Sequence, residues 1–204
     1  MALEKSTIVQ AALQLLDKVG LEGLSTRKLA QDLGVQGPSL YWHFKSKREL
    51  LNHMAEAMLT EHLPTPGPLE SDQPWDAWLL TGAYCIRAAA LSRRDGAQVL
   101  AAGRPTGTSQ ALSMPGMLRR LMDAGFSDAA AHHVLVTIGS FTIGYALVEQ
   151  SGMAEPKRSD HAAGFAYGIQ ALLSGLRDQL ALGDAALPES PAAPAPRQGK
   201  VEVG

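Results

Sequence analysis

Apolar positions recur at helical spacing along most of the chain, and almost no stretch alternates as a strand would. Over residues 5–19, Ile8, Ala12, Leu15, Leu16 and Val19 fall on one helical face. Gly20 follows as a stop. In LSTRKLAQDLG, Ser25 or Thr26 can cap a short helix, Leu29 and Leu33 lie four apart, and Gly34 closes it. After a four-residue turn, Pro38 suits a first helical position, where its missing N–H would be unpaired anyway. This predicts a short third helix over 38–44. Ser46 and Glu49 then form an S-x-x-E capping box, opening a fourth helix that runs to about residue 63.

LPTPGPLESDQP carries four prolines in twelve residues, which marks a linker or hinge. Helices resume over 75–91, 95–102, 109–124 (with Pro115 as a kink), 127–150 (capped by Ser127) and 160–182. GRPTGT and SGMAEPKRS separate them. From Gly183 the last 22 residues hold four prolines and five alanines and are poor in large apolar side chains, so disorder is expected there. The pattern predicts an all-α protein with three parts. A unit of short helices covers 1–46, and a larger helical unit covers 47–182, with 47–63 as connecting helix. The tail is 183–204.

Composition changes this picture little. The 204 residues are 46% hydrophobic and 19% charged, as in an ordinary globular protein. A single cysteine, Cys85, excludes an internal disulfide framework and points to a reducing, cytoplasmic setting. MALEKSTIVQ has no apolar core of a secretory signal. No run of about 18 apolar residues predicts a membrane span. Charge is more telling. The chain is −2 overall, yet residues 25–50 hold five Lys or Arg against two Asp or Glu, a local excess of +3. Attraction to a polyanion is therefore confined to that segment.

The same segment gathers scarce aromatic residues in GVQGPSLYWHFKSKRELL. Two short helices joined by a glycine-containing turn and braced by a longer first helix form a helix-turn-helix, whose second helix enters the major groove of DNA. Leu40 and Phe44 lie four apart and face the small core. Ser39, Tyr41, Trp42 and His43 point away or toward its rim, where they can meet phosphates, base edges or a thymine methyl. The aromatics alone fit a satellite core equally well. The helix spacing, the turn glycine and the capping box favour DNA.

LSTRKLAQDLGV and PSLYWHFKSKRELL resemble the DNA-binding domain of the tetracycline-repressor (TetR) family. WDAWL, ALSRRDGAQVL, GRPT, DAGFS and GSFTIGYALVEQ resemble the ligand-binding half of the tetracycline repressors. The resemblance covers residues 3 to about 182. It implies an all-α homodimer that pairs through a four-helix bundle, with 127–150 and 160–182 as the bundle helices. Gly139, Gly144, Ala163, Gly164, Gly168 and Gly175 on them permit close helix approach. A two-fold dimer implies a palindromic double-stranded operator. Transferred residue by residue, the DNA contacts fall on Thr26, Arg27, Ser39, Tyr41, Trp42, His43 and Lys47. The base-reading glutamine of the tetracycline repressors is Gly37 here, so a changed operator is expected, with Gln36 available as substitute.

The ligand half departs further. The family's metal-holding histidine is Leu100, a drug-binding asparagine is Gly82, a phenylalanine wall position is Ile86, and a hinge histidine is Pro64. The histidine and glutamate of the bundle are Ser140 and Val148. Hard Mg²⁺ needs oxygen ligands or ordered water, which Leu100 and Val148 do not supply. Arg104 and Pro105 remain, with an apolar lining of Trp78, Ile86, Leu100, Met114 and Met117, a composition suited to adaptable apolar pockets. Arg104 fits either of two roles: pairing with a ligand carboxylate or carbonyl, or capping the preceding helix. The expectation is a small, non-tetracycline inducer bound without metal or cofactor. His132 and His133 diverge by about 100° on a helix and make no metal pair. No nucleophile–base pair, metal spacing or phosphate loop indicates an enzyme. A regulator driven by a protein partner, with a filled pocket, is the rival.

Overall fold

A computed structural model describes residues 4–63, 72–106, 112–152 and 160–183. The proline-rich hinge with Pro64, the first part of the expected 109–124 helix, and nearly all of the Pro/Ala-rich tail lie outside them. The described residues form nine α-helices and no strand.

Helix α1 (Lys5–Gly23) buries Ile8, Val9, Ala12, Leu13, Leu15 and Leu16, and breaks at Gly20 (φ 72°), where the stop was expected. Only glycine adopts that conformation freely. Helix α2 (Thr26–Asp32) is capped by Ser25, whose hydroxyl accepts from Lys28 N–H. Thr26 is thus its first turn rather than its cap. Gly34 (φ 67°) turns the chain into α3 (Gly37–His43), with Pro38 in the first turn. Leu40 and Phe44 are buried beneath α3 as their spacing predicted.

Helix α4 (Lys47–Glu61) is capped by the Ser46 hydroxyl, which accepts from Glu49 N–H. The reciprocal half of the capping box differs. Glu49 accepts from Lys45 N–H at 2.7 Å, one residue before the cap, because the extended entry presents that amide instead.

Beyond the hinge come α5 (Trp75–Leu91), α6 (Gly96–Ala102), α7 (Met114–Asp123), α8 (Asp128–Ser151) and α9 (His161–Leu182). Asp160 caps α9 by accepting from Ala162 and Ala163 N–H. Pro115 does not kink α7. It sits in the first turn, capped by Ser113, where a missing N–H costs nothing.

Two hydrophobic clusters result. One runs from α1 through α2, α3 and α4 into the ends of α5 and α6, reaching Ala146 on α8. The other joins Trp78, Leu79 and Ala83 of α5 to Leu121, Phe126, Ile138, Phe165, Ile169 and Leu173. Helices α8 and α9 pack directly on each other. A Cβ at Gly168 would sit 2.5 Å from Phe141 Cζ, and one at Gly164 would collide with the Tyr145 hydroxyl. These two glycines therefore serve contact within the subunit. Gly139, Gly144 and Gly175 meet nothing within 4 Å and leave the outer face open.

Candidate DNA interface and ligand core

The helix-turn-helix presents its chemistry outward. Trp42 is 81% exposed and Tyr41 55%. Ser39, Arg27, Gln36 and Lys47 are exposed, and Thr26, Gly37 and His43 half-buried. An indole left so open, where Trp78 is buried and Trp75 half-buried, is an unusual exposure of apolar surface. Lys45 Nζ lies 5.8 Å from the Trp42 ring centroid, joining a cation to that face. Lys47 Nζ donates to Leu21 O at 3.1 Å, so its ammonium is held at the edge of α1. Between α2 and α3 lies a hollow of about 450 Å³ lined by Thr26, Arg27, Ala30, Gln31, Val35, Gly37 and Tyr41.

The residues transferred to a ligand site fall on α5, α6, α7, α8 and the loop after α6. Trp78 is buried in the second cluster with Met117 packed beside it. Leu100 is buried in the first cluster, with Ile86 against it. Gly82 is half-buried, while Arg104, Pro105, Met114 and Ser140 are exposed. Trp78 Nε1 is buried without a hydrogen-bond partner, and the Arg120 guanidinium lies 5.3 Å from its ring centroid. An unmade hydrogen bond of this kind costs about 1–3 kcal/mol.

The α6–α7 connection is stitched to α4. Asn52 Oδ1 accepts from Arg104 N–H at 2.8 Å. Four residues on, the buried Glu56 carboxylate accepts from Thr106 N–H at 2.9 Å and from the Thr106 hydroxyl. Gly103 lets the strands of chain approach, because a Cβ there would lie 2.7 Å from Leu51 O and 2.9 Å from Ala55 Cβ.

A second seam joins α1 to the turn between α5 and α6. Asp17 accepts from Arg93 Nη1 at 3.0 Å and from Arg94 N–H at 3.1 Å. Arg93 also reaches Glu61 at 3.3 Å. Asp95, held at φ 55°, accepts from Leu21 N–H at 2.8 Å. Gln150 of α8 locks this turn by donating to Ala90 O and Arg93 O and accepting from Ala97 N–H.

None of Asp17, Asn52, Glu56, Arg93, Asp95 or Gln150 was singled out from sequence. The motifs ALSRRDGAQVL and GSFTIGYALVEQ include Arg93, Asp95 and Gln150, but there they carry the resemblance and no contact.

Helix α8 carries an outer stripe of His133, Val136, Thr137, Ser140, Gly144 and Val148, all exposed. Val136 is 65% exposed, Val148 47%, and Tyr167 on α9 80%. By length and hydropathy α8 would pass for a membrane-crossing helix, a property the search for a long apolar run did not reveal. In the fold its inner side packs on α5, α6, α7 and α9. His132 and His133 are both exposed, and His132 Nδ1 lies 2.9 Å from Asp128 O. Arg87 joins α5 to α8 through two bonds to Glu149, at 2.7 and 3.0 Å, and rests over Phe165.

Comparison with known proteins accords with this layout. Residues 8–54 match the family described as bacterial regulatory proteins, tetR family. Residues 67–166 match the tetracyclin repressor-like C-terminal domain. The tetracycline repressor protein class A from transposon 1721 of Escherichia coli is 47% identical over 150 residues, spanning 74% of this chain and 68% of that one. A solved structure of TetR (class A) with 5a,6-anhydrotetracycline and magnesium superposes with a TM-score of 0.73 at 42% identity, over 87% of this chain and 99% of that one. BioQ on its natural double-stranded DNA operator superposes with a TM-score of 0.67 at 29% identity, over 87% of this chain and 99% of BioQ.

Proposed function

The chain belongs to the tetR family of bacterial regulatory proteins, DNA-binding regulators rather than enzymes, and from that premise we propose a ligand-responsive repressor released by a small molecule other than a tetracycline–magnesium chelate. In this reading residues 1–46 form the reader, 47–63 the connecting helix and 47–182 the sensing and pairing unit. The protein acts in the cytoplasm. Its double-stranded target is palindromic because two copies pair through α8 and α9. The open stripe of α8 and the exposed Tyr167 support that pairing, since apolar surface of this extent calls for a partner.

One observation carries the inducer reading. Leu100, which takes the place of the family's metal-binding histidine, is 6% exposed and packed in the first hydrophobic cluster. An aliphatic side chain there offers nothing to Mg²⁺. The groups left for recognition are the unpaired Trp78 N–H, the Arg104 guanidinium, and apolar faces of Ile86 and Met117. They suit an apolar molecule bearing a carbonyl or carboxylate. Arg104 and Thr106 hang from α4 through Asn52 and Glu56, so a ligand that draws on this loop acts on the connecting helix. To release DNA it must favour the non-binding arrangement, by about 10⁴-fold for a full switch.

The test is fluorescence anisotropy on a duplex from DNA flanking the protein's own gene, with tetracycline and Mg²⁺ added after the complex forms. Binding that persists through the drug is expected. Release by the drug would show that Leu100 and Gly82 are compensated and that the protein is a tetracycline sensor. Failure to bind any such duplex, or a random pool, would overturn the reader itself.

A further inference from the structure

We infer that Gly37 is a specificity residue, and that the hollow it opens between α2 and α3 seats the methyl-bearing edge of a thymine. The inference rests on the DNA-binding reading above and goes beyond it.

Glycine at this position has no local cause. Its φ lies outside the left-handed region, unlike that of Gly34 three residues earlier. An added Cβ would meet no atom within 4 Å. Neither backbone strain nor crowding therefore demands the smallest residue. What its absence of side chain creates is space. The hollow beside it holds about 450 Å³.

The walls define what fits. Ala30 is buried and Val35 half-buried, and the Tyr41 ring closes one side. Thr26, Arg27 and Gln31 supply a polar rim. In the major groove the thymine 5-methyl is the only apolar group on a base edge. An apolar floor with a polar rim, on the face of a recognition helix, suits that edge. The volume exceeds a single methyl, so the base edge enters with it. Gln36 is exposed and makes no capping bond, which leaves its amide available for the adenine of the same or the adjacent pair. A long side chain at position 37 would occupy the hollow and replace methyl recognition with its own hydrogen bonds.

The experiment begins with selection of tight duplexes from a random pool by the full-length protein. Each thymine of the selected half-site is then replaced by deoxyuridine, which removes only the methyl group. One position per half-site should lose about fourfold in affinity, and roughly fifteenfold when both half-sites are changed, as expected for one buried methyl each. Gly37→Gln, which the open space accommodates, should bind thymine and deoxyuridine duplexes within twofold of each other at that position. Uniform tolerance of deoxyuridine by the wild-type protein would overturn the inference. So would an unchanged penalty in Gly37→Gln, or selected sites without a thymine there. Selection of no sequence at all would instead overturn DNA binding.

Discussion

Replacing Gly103 by alanine adds a single methyl group where α6 meets α4, and the structure fixes the sign of the result. The new Cβ would lie 2.7 Å from Leu51 O, 2.9 Å from Ala55 Cβ and 3.0 Å from Val99 O. Two of these are backbone atoms of two different helices, so no rotamer change relieves them. The helices must separate by several tenths of an ångström. Overpacking of this kind costs about 1–3 kcal/mol. The separation also stretches the 2.8 Å bond from Arg104 N–H to Asn52, worth a further ~1 kcal/mol. About 3 kcal/mol in total should lower Tm by roughly 6–12 °C for a chain of this size. Gly82→Ala is the control. Gly82 lies within α5 and its Cβ would meet nothing within 4 Å. There alanine should gain up to about 1 kcal/mol of helix propensity and raise Tm by a few degrees. Both variants are melted by circular dichroism at one protomer concentration, because dimer stability depends on it. Gly103→Ala melting at or above wild type would refute the packing argument, as would the two variants shifting in the same direction.

Asp95→Ala removes the acceptor of Leu21 N–H and should cost about 1–2 kcal/mol; hydrogen exchange should quicken at the Leu21 amide and stay unchanged along α9. Trp42→Ala should leave stability within about 0.5 kcal/mol, since the side chain is 81% exposed. It should nevertheless weaken operator binding roughly thirtyfold, from about 1 kcal/mol lost in each of two half-sites; an unchanged anisotropy titration would remove Trp42 from the interface. Asp76 is held below the ordinary carboxylate range, first by its hydrogen bond to Arg177. Its contribution is therefore complete above the unfolded value near 3.9 and is lost as pH falls through the depressed folded value. Acid unfolding of Asp76→Asn should accordingly be shallower below about pH 4 than that of wild type, and identical slopes would contradict the pairing.

The helices were legible because their signals are local. Trp75–Leu91 carries the same bounds in pattern and in structure, and Ser25, Ser46, Ser127 and Asp160 all cap where short polar residues precede an apolar run. Helix α7 was misjudged for a related reason. Pro115 is compatible with a kink or a first turn, and only Ser113, which accepts from Gly116 N–H, decides between them. The reader's outward residues were legible because a core pair four apart fixes the opposite face. The seams were not. Leu21 and Asp95 are 74 residues apart, and Glu56 is 50 from Thr106. Glu56 looks like any solvated charge on a helix until the loop folds over it. Periodicity says which face is apolar and nothing about which polar residue a distant loop will cover.

The seams also determine how any displacement of the 103–106 loop must travel. Helix α4 is gripped at three levels. Lys47 bonds to the end of α1, Asn52 and Glu56 bond to the loop, and Glu61 pairs with Arg93. A pull on the loop enters at the middle grip. The outer grips both lead to α1, directly through Lys47 and through Arg93 to Asp17. Leu29, Leu40, Phe44 and Leu50 share one close-packed cluster with α1, and such a core moves as a body rather than deforming. The recognition helix, packed in that cluster, is thus coupled to α1 as well as to α4. These hydrogen bonds flank a continuous apolar cluster that joins α1, α4, α5 and α6. Each bond can be exchanged for water at a net cost near 1 kcal/mol, so the polar part of the junction sets only a small barrier to rearrangement.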